Sequence, residues 1–90
     1  MEQTSNMITH TNPVFIIAAD DQWVKGDSFY PQLTGRITDA FRNTTLSDAK
    51  KYVKTASRRL KDFKGDLRIV KAIATRDDKF NLISVEITKE

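Results

Sequence analysis

The apolar positions in the first part of the chain form short runs that end at turn residues. Residues 14–18, Val-Phe-Ile-Ile-Ala, are consecutively apolar and rich in β-branched side chains, which is typical of a strand buried on both faces. Asp20 and Asp21 follow, and aspartate is favoured in tight turns because its carboxylate bonds the local backbone. Segment 22–25 is then predicted as the returning strand of a hairpin whose first strand is central.

The next segment is interrupted by residues that break regular structure. Gly26 ends the hairpin, and residues 29–34 contain Pro31, which has no N–H to donate to a neighbouring strand. Any strand in this segment is therefore predicted to lie at a sheet edge. Residues 38–41, Thr-Asp-Ala-Phe, are predicted to form a single helical turn.

The clearest periodicity is helical. Thr45 has the side chain of an N-cap, with Asp48 three residues later as in a capping box; Ser47 is the rival cap, and Gly65 is a stop signal. Apolar residues recur between them at steps of three and four, as expected for a helix that buries one face. These residues are Leu46, Ala49, Val53, Ala56, Leu60 and Phe63, and Tyr52 widens the stripe.

The C-terminal third reads as a second hairpin, in which segments 67–74 and 80–88 flank the polar turn 75–79. Lys71 falls on the apolar side of the first strand, which predicts a bulge, a bend or a sheet edge there. The second strand alternates regularly, with one face formed by Ile83, Val85 and Ile87. The whole pattern predicts an α+β fold: a small antiparallel sheet of four or five strands with one amphipathic helix on a face, in the order β-β-(β)-α-β-β.

Length and composition fit one small domain. Ninety residues cannot bury two cores, so we predict a single domain at 13–90 after a disordered tail at 1–12. The chain has no cysteine, which fits a reducing compartment, and we expect a cytoplasmic protein. The longest apolar run, 14–19, is far shorter than the roughly 20 residues of a membrane-spanning helix, so no membrane association is expected.

Positive charge is concentrated on the predicted helix. Seven of the fifteen basic residues lie between positions 50 and 64, where Asp62 is the single acid. This face is either an ordinary solvated surface or a site that holds a polyanion. Ordinary solvated helix faces usually carry acidic residues between the basic ones, because like charges repel, and this face has almost none. At 100° per residue, the basic residues opposite the apolar stripe are Lys50, Lys51, Lys54, Arg58 and Lys61.

Aromatic residues offer a second candidate surface. Trp23, Phe29 and Tyr30 are interface candidates, although a lone tryptophan beside a turn is also typical of a core. Nucleic-acid binding, if present, is predicted to be non-specific, because no RNA-recognition motif and no second helix for a helix-turn-helix are found.

Catalytic and metal-binding residues are poorly supplied. His10 is the single histidine, cysteine is absent, and the three glycines are scattered rather than arranged in a phosphate-binding loop. The acidic pairs Asp20–Asp21 and Asp77–Asp78 fall at predicted turns, where aspartate serves the backbone. We therefore predict no enzyme activity, no metal and no cofactor.

Three short motifs resemble a known group of proteins. Leu33-Thr34, then Thr-Asp-Ala-Phe at 38–41 and Ser-Asp-Ala-Lys at 47–50, follow a hydrophobic strand and turn. This arrangement, within 14–53, is similar to small proteins of unassigned role from phages and prophages of Gram-positive bacteria. The resemblance implies a phage-type setting and supplies no chemistry.

These features predict a non-enzymatic binding or accessory protein that engages an acidic macromolecular partner through its basic helix. An acidic protein surface is favoured over nucleic acid, because aromatic residues are not interleaved with the basic ones. The alternatives are a non-specific DNA- or RNA-binding protein and a structural module that forms homo-oligomers through an edge strand, near 29–33 or 80–87.

Overall fold

The computed structural model describes residues 8–60 and 63–88, which form one antiparallel sheet with a helix packed on it. The strand order is β3-β2-β1-β4-β5, and every neighbouring pair is antiparallel. The predicted α+β class is confirmed. The elements are β1 (His10–Ala19), β2 (Gln22–Lys25), β3 (Gln32–Thr34), a short 3-10 helix (Ile37–Asp39), α1 (Leu46–Arg59), β4 (Leu67–Arg76) and β5 (Leu82–Ile87).

Strand β1 is the centre of the sheet, as its apolar run predicts. It pairs with β4 along its whole length, from His10 opposite Arg76 to Ala19 opposite Leu67. On its other side β1 pairs with β2 only at Ala18 and Ala19. Strand β3, which follows Pro31, lies at the sheet edge, as that proline predicts.

The predicted tail is too long at its C-terminal end. Residues 10–12 belong to β1, because they pair with residues 74–76 of the long strand β4. Pairing in the sheet decides this boundary, and the polar character of the segment gives no local sign of it. Residues 1–7 of the predicted tail lie outside the described residues.

Both faces of the sheet are apolar, which explains the uninterrupted apolar run of β1. Alternate residues of a strand point to opposite faces. Ile17 faces the helix and packs in a cluster with Ala49, Tyr52 and Ala56 of α1. Ile16 faces the other side, where the partly buried side chains around its cluster include Ile37 of the 3-10 helix. The predicted helical turn is therefore the cover of the second face.

The helix begins as predicted and ends earlier. Thr45 is the N-cap, and its hydroxyl accepts a hydrogen bond of 3.1 Å from the backbone N–H of Asp48. The helix ends at Arg59, whereas the sequence pattern extends to Phe63. Leu60 leaves the helical conformation at φ −85° and ψ 70°, and Leu60 and Phe63 still pack against the helix-side core.

The start of the predicted apolar stripe is also corrected. Leu46 is 44% exposed, although its spacing places it on the apolar face. Ala49 is the first residue of the helix that is fully buried. A residue in the first turn reaches the sheet only if the helix axis lies flat on it there, and helical periodicity does not report that geometry.

The irregularity predicted near Lys71 lies further along β4. Lys71 pairs regularly with Phe15 and is exposed, and the register shift falls between Thr75 and Arg76. This bulge places Leu82 opposite Arg76, so Leu82 packs on the second face of the sheet. Val85 and Ile87 pair with Ala74 and Ala72 and so share the predicted face, but Val85 is buried and Ile87 is 50% exposed. Ile83, which lies at the register shift, is 47% exposed.

We expect Ile17→Ala to lower the free energy of unfolding by about 2–5 kcal/mol, because it leaves a cavity in the helix-side core. Leu46→Ala removes a similar volume at a half-exposed position and should cost less than about 1 kcal/mol. Urea denaturation measures both values. Equal losses would mean that the first turn of α1 is packed against the sheet.

Candidate functional site

The outer surface of α1 is strongly basic. The fourteen residues of the helix include five basic side chains and one acid, Asp48. All five basic side chains are exposed, and four of them lie opposite Ala49 and Ala56, which face the sheet. We call these four the basic ridge: Lys50, Lys51, Lys54 and Arg58. Lys61, the fifth predicted member, lies outside the described residues.

Part of this charge stabilises the helix itself. Asp48 lies in the first turn and Arg58 and Arg59 lie in the last turn, so each charge opposes the nearby end of the helix dipole. Lys50, Lys51 and Lys54 have no such role, because they lie between the terminal turns. Their charge is the part of the ridge that helix stability does not explain.

The remaining basic residue of the helix contacts an aromatic ring. The Arg59 guanidinium lies 5.7 Å from the centroid of the Phe29 ring, a cation–π distance. Phe29 is 56% exposed and Tyr30 is 79% exposed. Two of the three predicted interface aromatics therefore lie in a loop that meets the helix at its C-terminal end.

Trp23, the third predicted interface residue, lies elsewhere. It is half-buried and packs against the core cluster on the sheet face opposite the helix. Its position follows from its pairing with Ala18, because directly paired residues point to the same face. Trp23 therefore does not share a surface with Phe29 and Tyr30.

The loop with the two exposed aromatics is fixed to the helix by a buried phenol. The Tyr52 hydroxyl donates a hydrogen bond of 2.6 Å to the carbonyl oxygen of Gly26. Gly26 has φ of 80°, and a Cβ there would lie 3.0 Å from the carbonyl oxygen of Tyr30, so the position requires glycine. Asp27 closes the turn by accepting a hydrogen bond of 2.7 Å from the N–H of Phe29.

Burial and, to a smaller extent, the negative charge of Asp27 together raise the pKa of Tyr52 to about 12. The phenol therefore remains a neutral hydrogen-bond donor at physiological pH. Its ring stacks on Phe41, with centroids 4.7 Å apart. Tyr52 thus connects the helix, the β2–β3 loop and the segment that follows the 3-10 helix.

A second cationic site was not predicted from the sequence. Arg42 and Arg76 line an open cleft of about 860 Å³ on the side of the sheet away from the basic ridge. Burial lowers the pKa of Arg42, the positive charge of Arg76 lowers it further, and Asp39 opposes both effects. No sequence motif marks this pair, because the two arginines come from different elements that only the fold brings together.

Two of the candidate metal-binding residues, Asp77 and His10, make contacts within the protein. Asp77 closes the β4–β5 turn: its Oδ1 accepts 2.9 Å hydrogen bonds from the N–H groups of Lys79 and Asn81. These bonds hold the pKa of Asp77 below its usual value, and the bond from the Asn81 N–H has the largest effect. His10 stacks on Phe80 at 4.7 Å. Within 8–60 and 63–88, no three His, Asp or Glu side chains are placed to hold a metal ion.

No helix in the described ranges combines the length and apolar character needed to cross a membrane. Comparison with protein-family models, with curated proteins and with solved structures found no match. Inferences about function therefore depend on the residues and their geometry.

We expect Tyr52→Phe to lower the free energy of unfolding by about 1 kcal/mol at neutral pH, because it removes the hydrogen bond to Gly26. The folded-state pKa of Tyr52 is above the ordinary value of 10.0, so its contribution is complete below pH 10 and is lost as pH rises towards about 12. The stability difference between wild type and variant should therefore narrow over that range.

Denaturant titrations at several pH values measure this difference. Tyr30→Phe is the matched control, because Tyr30 is largely exposed, and it should change stability by less than about 0.5 kcal/mol. A Tyr52→Phe protein with wild-type stability at every pH would contradict the structural role of the phenol.

Proposed function

We propose that this protein is a non-enzymatic binding or accessory protein that engages an acidic macromolecular partner through the basic ridge. The observation that supports this most is the exposure of Lys50, Lys51 and Lys54 on a helix face without an interleaved acid. Like charges at helical spacings of three and four repel, so a face of this kind is better balanced by an external anion.

The mechanism is electrostatic. The ridge steers an anionic surface towards the helix, and ion pairs formed at short range hold it there. The sheet supplies a rigid support, because Ala49 and Ala56 pack without exposure against it. Phe29 and Tyr30 add exposed aromatic area at the end of the helix, where interface residues of this type contribute apolar contact.

An acidic protein surface fits these features better than a nucleic acid. Proteins that bind single strands place aromatic rings between basic residues so that bases can stack. Here the exposed aromatics lie beside Arg59, at one end of the helix, and the ridge itself has none. Non-specific binding of DNA or RNA is the alternative. We place the protein in the cytoplasm and, from the motif resemblance, in a phage-type setting.

The test is a charge reversal with a charge-matched control. We expect Lys54→Glu/Arg58→Glu to abolish binding of polyglutamate, an acidic polypeptide, in fluorescence anisotropy at low salt. Arg36→Glu/Lys79→Glu changes the net charge equally at exposed positions away from the helix and should retain most of the binding. Thermal unfolding checks that both double variants fold.

The outcomes separate the proposals. Equal loss in both double variants would show that net charge, and not the ridge, attracts the polyanion. Binding of duplex DNA that weakens with salt at a log–log slope of about −3.6, as for four phosphates neutralised by the ridge, would favour the nucleic-acid alternative. No binding of either polyanion at about 50 mM salt would overturn the proposal.

A second candidate function is self-association through an edge strand. Strand β5 is at the edge of the sheet and is six residues long, and Ile83 and Ile87 on it are half-exposed. Such an edge offers unpaired backbone groups and apolar side chains to a second copy. The other edge, β3, has three residues and offers less backbone.

If β5 pairs with a second copy, light scattering should detect a dimer at high protein concentration. Ile83→Lys should then give a monomer, because a charged side chain on an edge strand opposes pairing. Leu46→Lys places the same charge at a similarly exposed apolar position on the helix and should leave the dimer intact. A monomer at all concentrations would exclude this function.

A further inference from the structure

Within residues 8–60 and 63–88, no strand pairs with one side of the N-terminal half of β1, where an isolated bridge to Asn43 forms. Phe15 exchanges both backbone hydrogen bonds with Asn43 there, at 2.7 and 2.9 Å. Backbone groups two residues apart in a strand face the same side, so the nitrogen of Pro13 faces the same way, where no described strand pairs with it. Proline is tolerated in this long strand because its missing N–H costs nothing on an open side.

The cleft that contains Arg42 and Arg76 lies along this open side. Its wall is formed by β1, by the segment after the 3-10 helix and by the end of β4. Its volume of about 860 Å³ is within the range of small-molecule sites. Asn12, Thr38 and Thr44 add polar side chains to the lining.

Arg42 is held in place by the backbone around it. Its Nη1 donates to the carbonyl oxygen of Thr38 at 3.0 Å and to that of Ala40 at 3.4 Å. A guanidinium has five N–H donors, so these bonds leave donors free for another group. The arginine is therefore oriented before any ligand arrives, which reduces the entropy lost on binding.

Arg42 and Arg76 both line the cleft, and both are partly buried. The positive charge of Arg76 repels that of Arg42: burial is the larger cause of the lowered pKa of Arg42, and Arg76 lowers this pKa further. Asp39, the one acid in the lining, offsets part of this repulsion. An anion bound between the two arginines would offset the rest of the repulsion between them.

We infer that this cleft is a binding site for a small molecule with a phosphate group, held between Arg42 and Arg76. Two guanidinium groups from different elements can each bond different oxygens of a tetrahedral dianion. A carboxylate, with two oxygens, is satisfied by a single arginine in the fork-to-fork geometry. The site shares no residue with the basic ridge, so it stands independently of the proposed function.

The experiment is a titration of the whole protein, followed by amide chemical shifts in two-dimensional NMR. Inorganic phosphate and adenosine monophosphate are the phosphate probes; acetate and adenosine are the comparisons. We expect saturable shifts for Asn12 and for residues 38–44 with both phosphates. Arg76→Gln should weaken the binding about tenfold, the effect of one charge-assisted contact.

Arg68→Gln is the matched control, since Arg68 lies on the same strand and the same face as Arg76 but outside the cleft, and it should bind as wild type does. If Arg76→Gln fails to fold, Arg76→Lys is the substitute variant. It keeps the positive charge but removes the forked guanidinium, so its affinity for phosphate should be intermediate. Acetate binding as strong as phosphate binding would overturn the phosphate assignment. Equal weakening by Arg68→Gln, or no saturable shift at the cleft, would overturn the site.

Discussion

The pairing of β1 with β4 is the interaction on which the rest of this structure depends. Ten residue pairs join the two strands, and β1 has apolar side chains on both faces. A strand of this kind is stable only if both faces are covered. The helix covers one face and the segment at 37–40 covers the other, so the two elements that form the candidate sites are also those that close the core.

The two cationic sites arise in different ways. The basic ridge is a property of one helix: its residues are close in sequence, and helical geometry alone brings them to one face. The pair of Arg42 and Arg76 belongs to two elements that meet across the open side of β1. A local pattern reveals the first kind of site, while the second requires the sheet register.

The errors in the sequence-based predictions share a physical origin. Leu46 lies on the helix but is half-exposed, and Phe63 packs on the helix-side core from beyond the end of the helix. Periodicity reports a direction around an axis, and not the distance to the sheet or the residue at which the helix ends. Ile83 alternates correctly with Val85, yet the bulge after Thr75 turns it towards solvent. Each error lies where an element ends or where its pairing shifts, because partners distant in sequence decide those points.

The sequence alone determined the α+β class, the central first strand, the edge position of β3, the N-cap at Thr45 and the charge of the helix. Each of these features leaves a pattern among residues near one another in the chain, so it is legible in the sequence. The tertiary structure alone decided that Trp23 packs away from Phe29, that Tyr52 fixes the loop at Gly26 and that two arginines share a cleft. Those contacts join residues far apart in the chain, and only the strand register brings them together.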